Sequence, residues 1–203
     1  ADLVGLDTLA HVAKNTYDLV PDDEARDDFI LPEFVTRMIE ADMLGKKTKA
    51  GFYKTDLTPE WQKIRKVIDP VTLTYSEYDK VELPCLKAAK AARTLPEKMR
   101  TIVYGDDKGA LFAWQALAAN LIYAANRIPE IADTIVEIDN AMKWGFNFEK
   151  GPFETWDAIG VADSVAKMEA DGMTVPPAVK AMLAGGNDRF YKMEGGRRYY
   201  YDF

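Results

Sequence analysis

Side chains able to carry acid–base, nucleophilic or metal chemistry are few in this sequence and far apart. His11 is the single histidine and Cys85 the single cysteine. A histidine that binds metal or moves a proton needs partners at ligand spacing or a group that orients it. No Cys or second His stands near His11, so it reads as a surface or helix-packed residue. Cys85 sits beside Leu83 and Leu86 with no visible base to activate its thiol, and reads as a small core or boundary residue. Asp22, Asp23, Glu24, Asp27 and Asp28 cluster after Pro21, but their spacing fits no EF-hand loop; they read as a solvated loop. Lys46, Lys47 and Lys49 form a basic turn. Contact with phosphates is one reading of it and a solvated turn the simpler one; Arg197 and Arg198 divide the same way. No Gly-x-Gly-x-x-Gly follows a strand, so the pattern offers no dinucleotide cradle.

Composition narrows the classes further. The formal net charge of -7 argues against a nucleic-acid partner, which wants clustered Lys and Arg. No apolar run approaches the roughly 18 residues of a membrane span, and no signal peptide opens the chain. A single cysteine forbids an internal disulfide, which fits a reducing, cytoplasmic setting. The 203 residues suffice for one medium domain or two small ones with real cores.

Most of the chain has helical periodicity. From Gly109 to Arg127, Leu111, Trp114, Leu117, Leu121 and Ala125 recur at steps of three and four, and Phe112, Ala118 and Ile122 widen the stripe, predicting a largely buried helix. Asp106 and Asp107 can cap it, and Pro129 stops it. Pro129 is expected in the first turn of a following helix that places Ile131, Ile135, Ile138 and Met142 on one face and ends at Gly145. Proline also opens Pro32–Leu44, Pro84–Arg93, Pro96–Tyr104 and Pro176–Ala184. Trp114, Trp144 and Trp156 are expected in packing roles. Asp69-Pro70 signals a turn, and Val71, Leu73 and Tyr75 alternate as an extended stretch would.

The chain also repeats itself. Asp2-Leu3-Val4-Gly5-Leu6 is similar to Asp157-Ala158-Ile159-Gly160-Val161. Each is followed by a helix, a loop and a proline-led helix, then by a glycine–basic–aromatic segment: Gly45 to Tyr53 in one copy, Gly195 to Tyr201 in the other. Both segments are expected to be tight hairpins. The division implied is a first lobe over 1–68, a linker with short helices over 69–105, and a second lobe over 106–203. The first copy lacks the two long helices that precede the second. With Ala1 opening directly in a structured segment, this reads as truncation, leaving an apolar face for the other lobe or another chain to cover.

Several of these motifs resemble a known family. Leu44-Gly45-Lys46-Lys47-Thr48 with Gly51-Phe52-Tyr53-Lys54 is similar to the hairpin closing the C-terminal domain of 3-hydroxyacyl-CoA dehydrogenases. Asp139, Ala141 and Met142, followed by Gly151-Pro152-Phe153-Glu154 and Trp156-Asp157, resemble the family's other helical signature, and Val4-Gly5-Leu6-Asp7 the residues that follow it. Two tandem copies look like the multifunctional members, and Tyr199 to Phe203 resembles the junction before an enoyl-CoA hydratase.

The resemblance implies an all-α fold of two related helical lobes, like the C-terminal domain of 6-phosphogluconate dehydrogenase. It implies a larger protein of fatty-acid β-oxidation that oxidises (3S)-3-hydroxyacyl-CoA with NAD held by a separate Rossmann domain. This chain would supply a wall of the substrate cleft and a domain or subunit interface, including a possible homodimer. By resemblance, Gly151, Pro152 and Phe153 face the cleft where acyl-CoA lies. No residue matches the family's catalytic histidine, so the isolated chain is expected to be inactive and to bind no NAD or metal. The competing readings are a stand-alone helical interaction module and a non-catalytic acyl-CoA-binding protein.

Overall fold

The computed structural model describes residues 1–203. The chain divides into two compact units, Ala1–Val81 and Glu82–Phe203. Helices predominate, as the sequence implies, but each unit also contains a small antiparallel sheet.

In the first unit, α1 (Leu6–Leu19) and α2 (Glu33–Glu40) precede the strands β1 (Tyr53–Leu57), β2 (Lys63–Ile68) and β3 (Tyr75–Glu77), which form a meander. Leu6, Met38 and Ile68 are its buried centre, with Phe34, Phe52 and Tyr75 packed around them. The expected hairpin at Gly45 to Tyr53 is instead a short 3-10 turn, Lys46–Thr48, closed by a bridge between Gly45 and Ala50. The true hairpin lies just downstream, where Tyr53 pairs with Val67 and Leu57 with Lys63. Asp69 does begin a turn: its carboxylate accepts the N–H groups of Val71 and Thr72. Residues 69–77 therefore return the chain as β3, and the segment anticipated as a linker over 69–105 is divided between the two units.

The second unit contains α3 (Pro84–Ala89), α4 (Leu95–Val103), α5 (Lys108–Asn126), α6 (Ile135–Phe146), α7 (Pro152–Ile159), α8 (Val161–Ala170), α9 (Pro177–Ala184) and the hairpin β4 (Tyr191–Glu194)–β5 (Arg197–Tyr200). Asp107 caps α5 as expected, accepting from Gly109 and Ala110. The buried stripe of α5 is narrower than the sequence suggests. Ala110, Trp114, Ala118, Leu121, Ala124 and Ala125 face the core, while Leu111 and Phe112 lie in solvent. Pro129 does not open α6. Helix α6 begins after Thr134, where the Glu137 carboxylate reaches back to the N–H groups of Asp133 and Thr134. Ile131 is consequently exposed, Gly145 lies within the last turn, and Asn147 in the left-handed region ends the helix. Trp144 is 80% exposed, so of the three tryptophans expected to pack only Trp114 and Trp156 do so. The β4–β5 hairpin is as anticipated: Gly195 and Gly196 both take positive φ, which its two-residue turn demands.

Candidate functional site

The densest polar arrangement in the molecule is built around the N-terminus of α7. An α-helix leaves its first N–H groups without internal partners. Here the partner is Asp139, projecting from α6: its carboxylate accepts from Phe153 N at 2.8 Å and Glu154 N at 3.1 Å. The Tyr191 hydroxyl, from β4, donates to the same carboxylate at 2.8 Å. Gly151 is required at the cap because a Cβ there would overlap the Asp139 backbone and side chain. Its N–H donates to Glu154, whose carboxylate also takes Lys143 and Arg198 at 2.9 Å each.

These environments push the acids apart. Burial raises Asp139 above the usual carboxylate range, although Tyr191 and the two amides pull the other way. Burial likewise raises Asp157, against the N–H groups of Phe190 and Tyr191 that it accepts. Burial acts upward on Glu154 too, but Lys143, Arg198 and the Gly151 N–H outweigh it and hold the acid below its ordinary value. The Tyr191 phenol is pushed far up by burial and by Asp139. These bonds tie α6, α7 and the β4–β5 hairpin into one joint.

The first unit contains a smaller joint of the same kind. The Asp2 carboxylate accepts from Phe52 N and Tyr53 N at 3.0 and 2.9 Å, as Asp157 does from Phe190 N and Tyr191 N at 2.7 and 2.9 Å. Gly5 and Gly160, with φ of 109° and 93°, precede the helices α1 and α8 that follow these acids.

The sequence of residues 1–55 matches the family described as "3-hydroxyacyl-CoA dehydrogenase, C-terminal domain". A "Probable 3-hydroxyacyl-CoA dehydrogenase" of Bacillus subtilis (strain 168) is 45% identical over 201 residues, 99% of this chain and 25% of that protein. Residues 1–55 thus carry sequence similar to the C-terminal domain of 3-hydroxyacyl-CoA dehydrogenases. A "Putative fatty acid oxidation complex trifunctional enzyme" of Rickettsia felis is 29% identical over 178 residues, 86% of this chain and 23% of that protein. The chain thus spans about a quarter of the length of these curated relatives.

The Gly151-Pro152-Phe153 turn opens α7. Phe153 was expected to face a substrate cleft. Its side chain has no exposed surface and packs edge-on against Phe190 at 5.0 Å and Phe203 at 5.8 Å. Gly151 is buried against Asp139, and only Pro152 is partly exposed. In geometry the turn is a helix start locked by a remote carboxylate. Asp139, Glu154 and Asp157 were visible in the motif; Tyr191 was not, because its bond to Asp139 spans 52 residues.

His11 and Cys85 are structural. His11 lies on the exposed face of α1 with Asn15 at 3.1 Å. Cys85 is buried, and burial together with nearby Asp107 pushes its thiol up, away from the reactive thiolate. No group of three or more His, Cys, Asp or Glu is arranged to hold a metal. The residues present also do not fit a dinucleotide. Both sheets are antiparallel, with no parallel strand pair joined through a glycine-rich turn and a crossover helix.

Proposed function

We propose that this chain is a non-catalytic part of an NAD-dependent 3-hydroxyacyl-CoA dehydrogenase of fatty-acid β-oxidation. The complete protein oxidises (3S)-3-hydroxyacyl-CoA to 3-oxoacyl-CoA. This chain contributes a wall of the substrate cleft and an interface with other domains or subunits. The observation that carries the reading is the 45% identity extending over 99% of the chain, inside a relative four times as long. On this reading NAD and the proton-accepting pair belong to a Rossmann domain elsewhere in the polypeptide, and the cytoplasm is the setting. The naming of one relative as a trifunctional enzyme supports a multifunctional parent, and a hydratase is proposed as one of its further domains.

Two further features favour an interface role. Phe112, Ile131, Trp144, Phe146 and Phe148 are large apolar residues left in solvent, 69% or more for the first four, with the Phe146 and Phe148 rings 6.2 Å apart; we read them as contact surface. The matched joints at Asp2 and Asp157, with the glycines at 5 and 160, support the reading of two related copies of one domain.

The test is association with the dinucleotide-binding domain of the same polypeptide, measured by sedimentation together with NADH formation from a 3-hydroxyacyl-CoA. Association with restored turnover is expected, weakened by Phe112→Asp or Trp144→Asp. Full turnover by the dinucleotide-binding domain without this chain would overturn the reading.

A further inference from the structure

We propose that the first unit carries a binding site for a phosphate-bearing anion, formed by Lys46, Lys49 and Arg65 with Tyr53 and Thr55. Lys46, Lys47 and Lys49 read in the sequence as one basic turn, but the structure separates them. Lys47 forms an ion pair with Asp7 at 2.5 Å. Lys46 and Lys49 instead line a depression of about 580 Å³ together with Arg65, Tyr53 and Thr55.

The sheet register explains the composition. Thr55 pairs with Arg65, and on alternate positions Lys54 and Lys66 both pair with Asp56, at 3.2 and 2.8 Å. Successive side chains on a strand point to opposite faces, so Asp56 lies on the face of Lys54 and Lys66, and Arg65 lies on the other face beside Thr55. None of Lys46, Lys49 and Arg65 is paired with a carboxylate. The one acid in the lining, Asp2, already accepts two backbone N–H groups. Three positive charges therefore face one committed negative charge, in a chain whose net charge is -7.

The site is also ordered. The Arg65 guanidinium lies 4.0 Å from the Tyr53 ring centroid and 5.2 Å from that of Tyr78, which fixes its plane while leaving N–H donors for a ligand. Lys49 is held in the left-handed region at φ 64°, closing the turn that also places Lys46. Planar guanidinium and two ammonium groups are the donor set that recognises phosphate oxygens. The comparable depression in the second unit has Lys150, Arg189 and Arg198, but also Glu154 and Asp157, with Arg198 already bound to Glu154 at 2.9 Å. That depression thus holds two acids against its cations, where the one in the first unit holds Asp2 alone.

The test is calorimetric titration of the 203-residue chain with inorganic pyrophosphate and, separately, with ADP at low ionic strength. Saturable binding is expected, weakening as salt is added and falling at least about tenfold in K46Q/K49Q/R65Q, since charge-assisted contacts of this kind each contribute more than neutral ones. Lys14→Gln, which changes the same charge at a lysine paired with Asp18 in α1, should leave binding within about twofold. Circular dichroism checks the fold of each variant, and the single variants K49Q and R65Q serve if the triple variant unfolds. Equal affinity for the two probes assigns the site to free phosphates, and tighter ADP binding assigns it to a phosphate ester whose base packs on the Tyr53 side. No saturable binding of either probe, or equal loss in K14Q, would overturn the proposal.

Discussion

Replacing Asp139 by alanine should uncouple three elements at once. The carboxylate is 1% exposed and accepts from Phe153 N, Glu154 N and Tyr191 Oη. The variant orphans Phe153 N in the interior, and a buried donor without an acceptor costs about 1–3 kcal/mol. Losing the cap on α7 adds roughly 1 kcal/mol. The half-buried Tyr191 hydroxyl can turn to water and adds little. Against this, the variant no longer buries a carboxyl group whose ionisation burial disfavours. The net expectation is a loss of about 2–4 kcal/mol, with Asp139→Asn losing roughly half as much because it retains one acceptor oxygen. Urea denaturation followed by near-ultraviolet circular dichroism and tryptophan fluorescence reads this directly, since Trp114, Trp144 and Trp156 all lie in the second unit. The same variant should lower the Tyr191 titration toward the ordinary phenol range, because Asp139 is one of the causes of its elevation. A D139A midpoint within about 0.5 kcal/mol of the parent, the scatter of ordinary surface substitutions, would refute the capping argument.

Other substitutions test the same joints. Gly151→Ala drives a Cβ into the Asp139 backbone and should destabilise the second unit by about 2 kcal/mol or more in urea melts, as overpacking against main chain does. Trp114→Ala empties a core site and breaks the 2.6 Å bond from its indole N–H to Asp171, so a loss of about 3–5 kcal/mol is expected by calorimetry; Leu111→Ala, exposed on the same helix, should change stability by less than about 0.5 kcal/mol. For pH, Asp139 has a folded value raised above its ordinary 3.8. Its contribution is fully present below the unfolded value and is lost as pH rises through the folded one. Tyr191→Phe removes a bond that holds Asp139 down, so the stability deficit of this variant should widen as pH climbs through the raised folded value of Asp139. A deficit that is flat with pH would contradict that assignment.

Much of this architecture is legible in the residues. Asp107 before a 3.6-residue repeat gives the start of α5, and Gly195-Gly196 between aromatic and basic residues gives the β4–β5 hairpin. What escaped has identifiable causes. Periodicity ranks Leu111 and Phe112 with the core, but it cannot tell which apolar face a helix buries, and small residues such as Ala110 and Ala124 took buried positions. Pro129 was a plausible helix start, yet Thr134 with Glu137 three residues later offers a stronger one. The strand β2, Lys-Ile-Arg-Lys-Val-Ile, hides its alternation beneath long charged side chains. The α7 joint shows the deepest limit. Gly-Pro-Phe-Glu is readable as a helix start, but its capping acid lies a helix away, and its tyrosine on a distant strand.

The central claim is that this chain lends structure to a dehydrogenase and performs no hydride chemistry itself. The direct measurement is NADH formation from a (3S)-3-hydroxyacyl-CoA and NAD, with the 203-residue chain alone and with the same chain joined to the dinucleotide-binding domain of its polypeptide. The account predicts turnover only in the joined protein. Saturable NADH formation by the chain alone, abolished by no change outside it, would contradict the account.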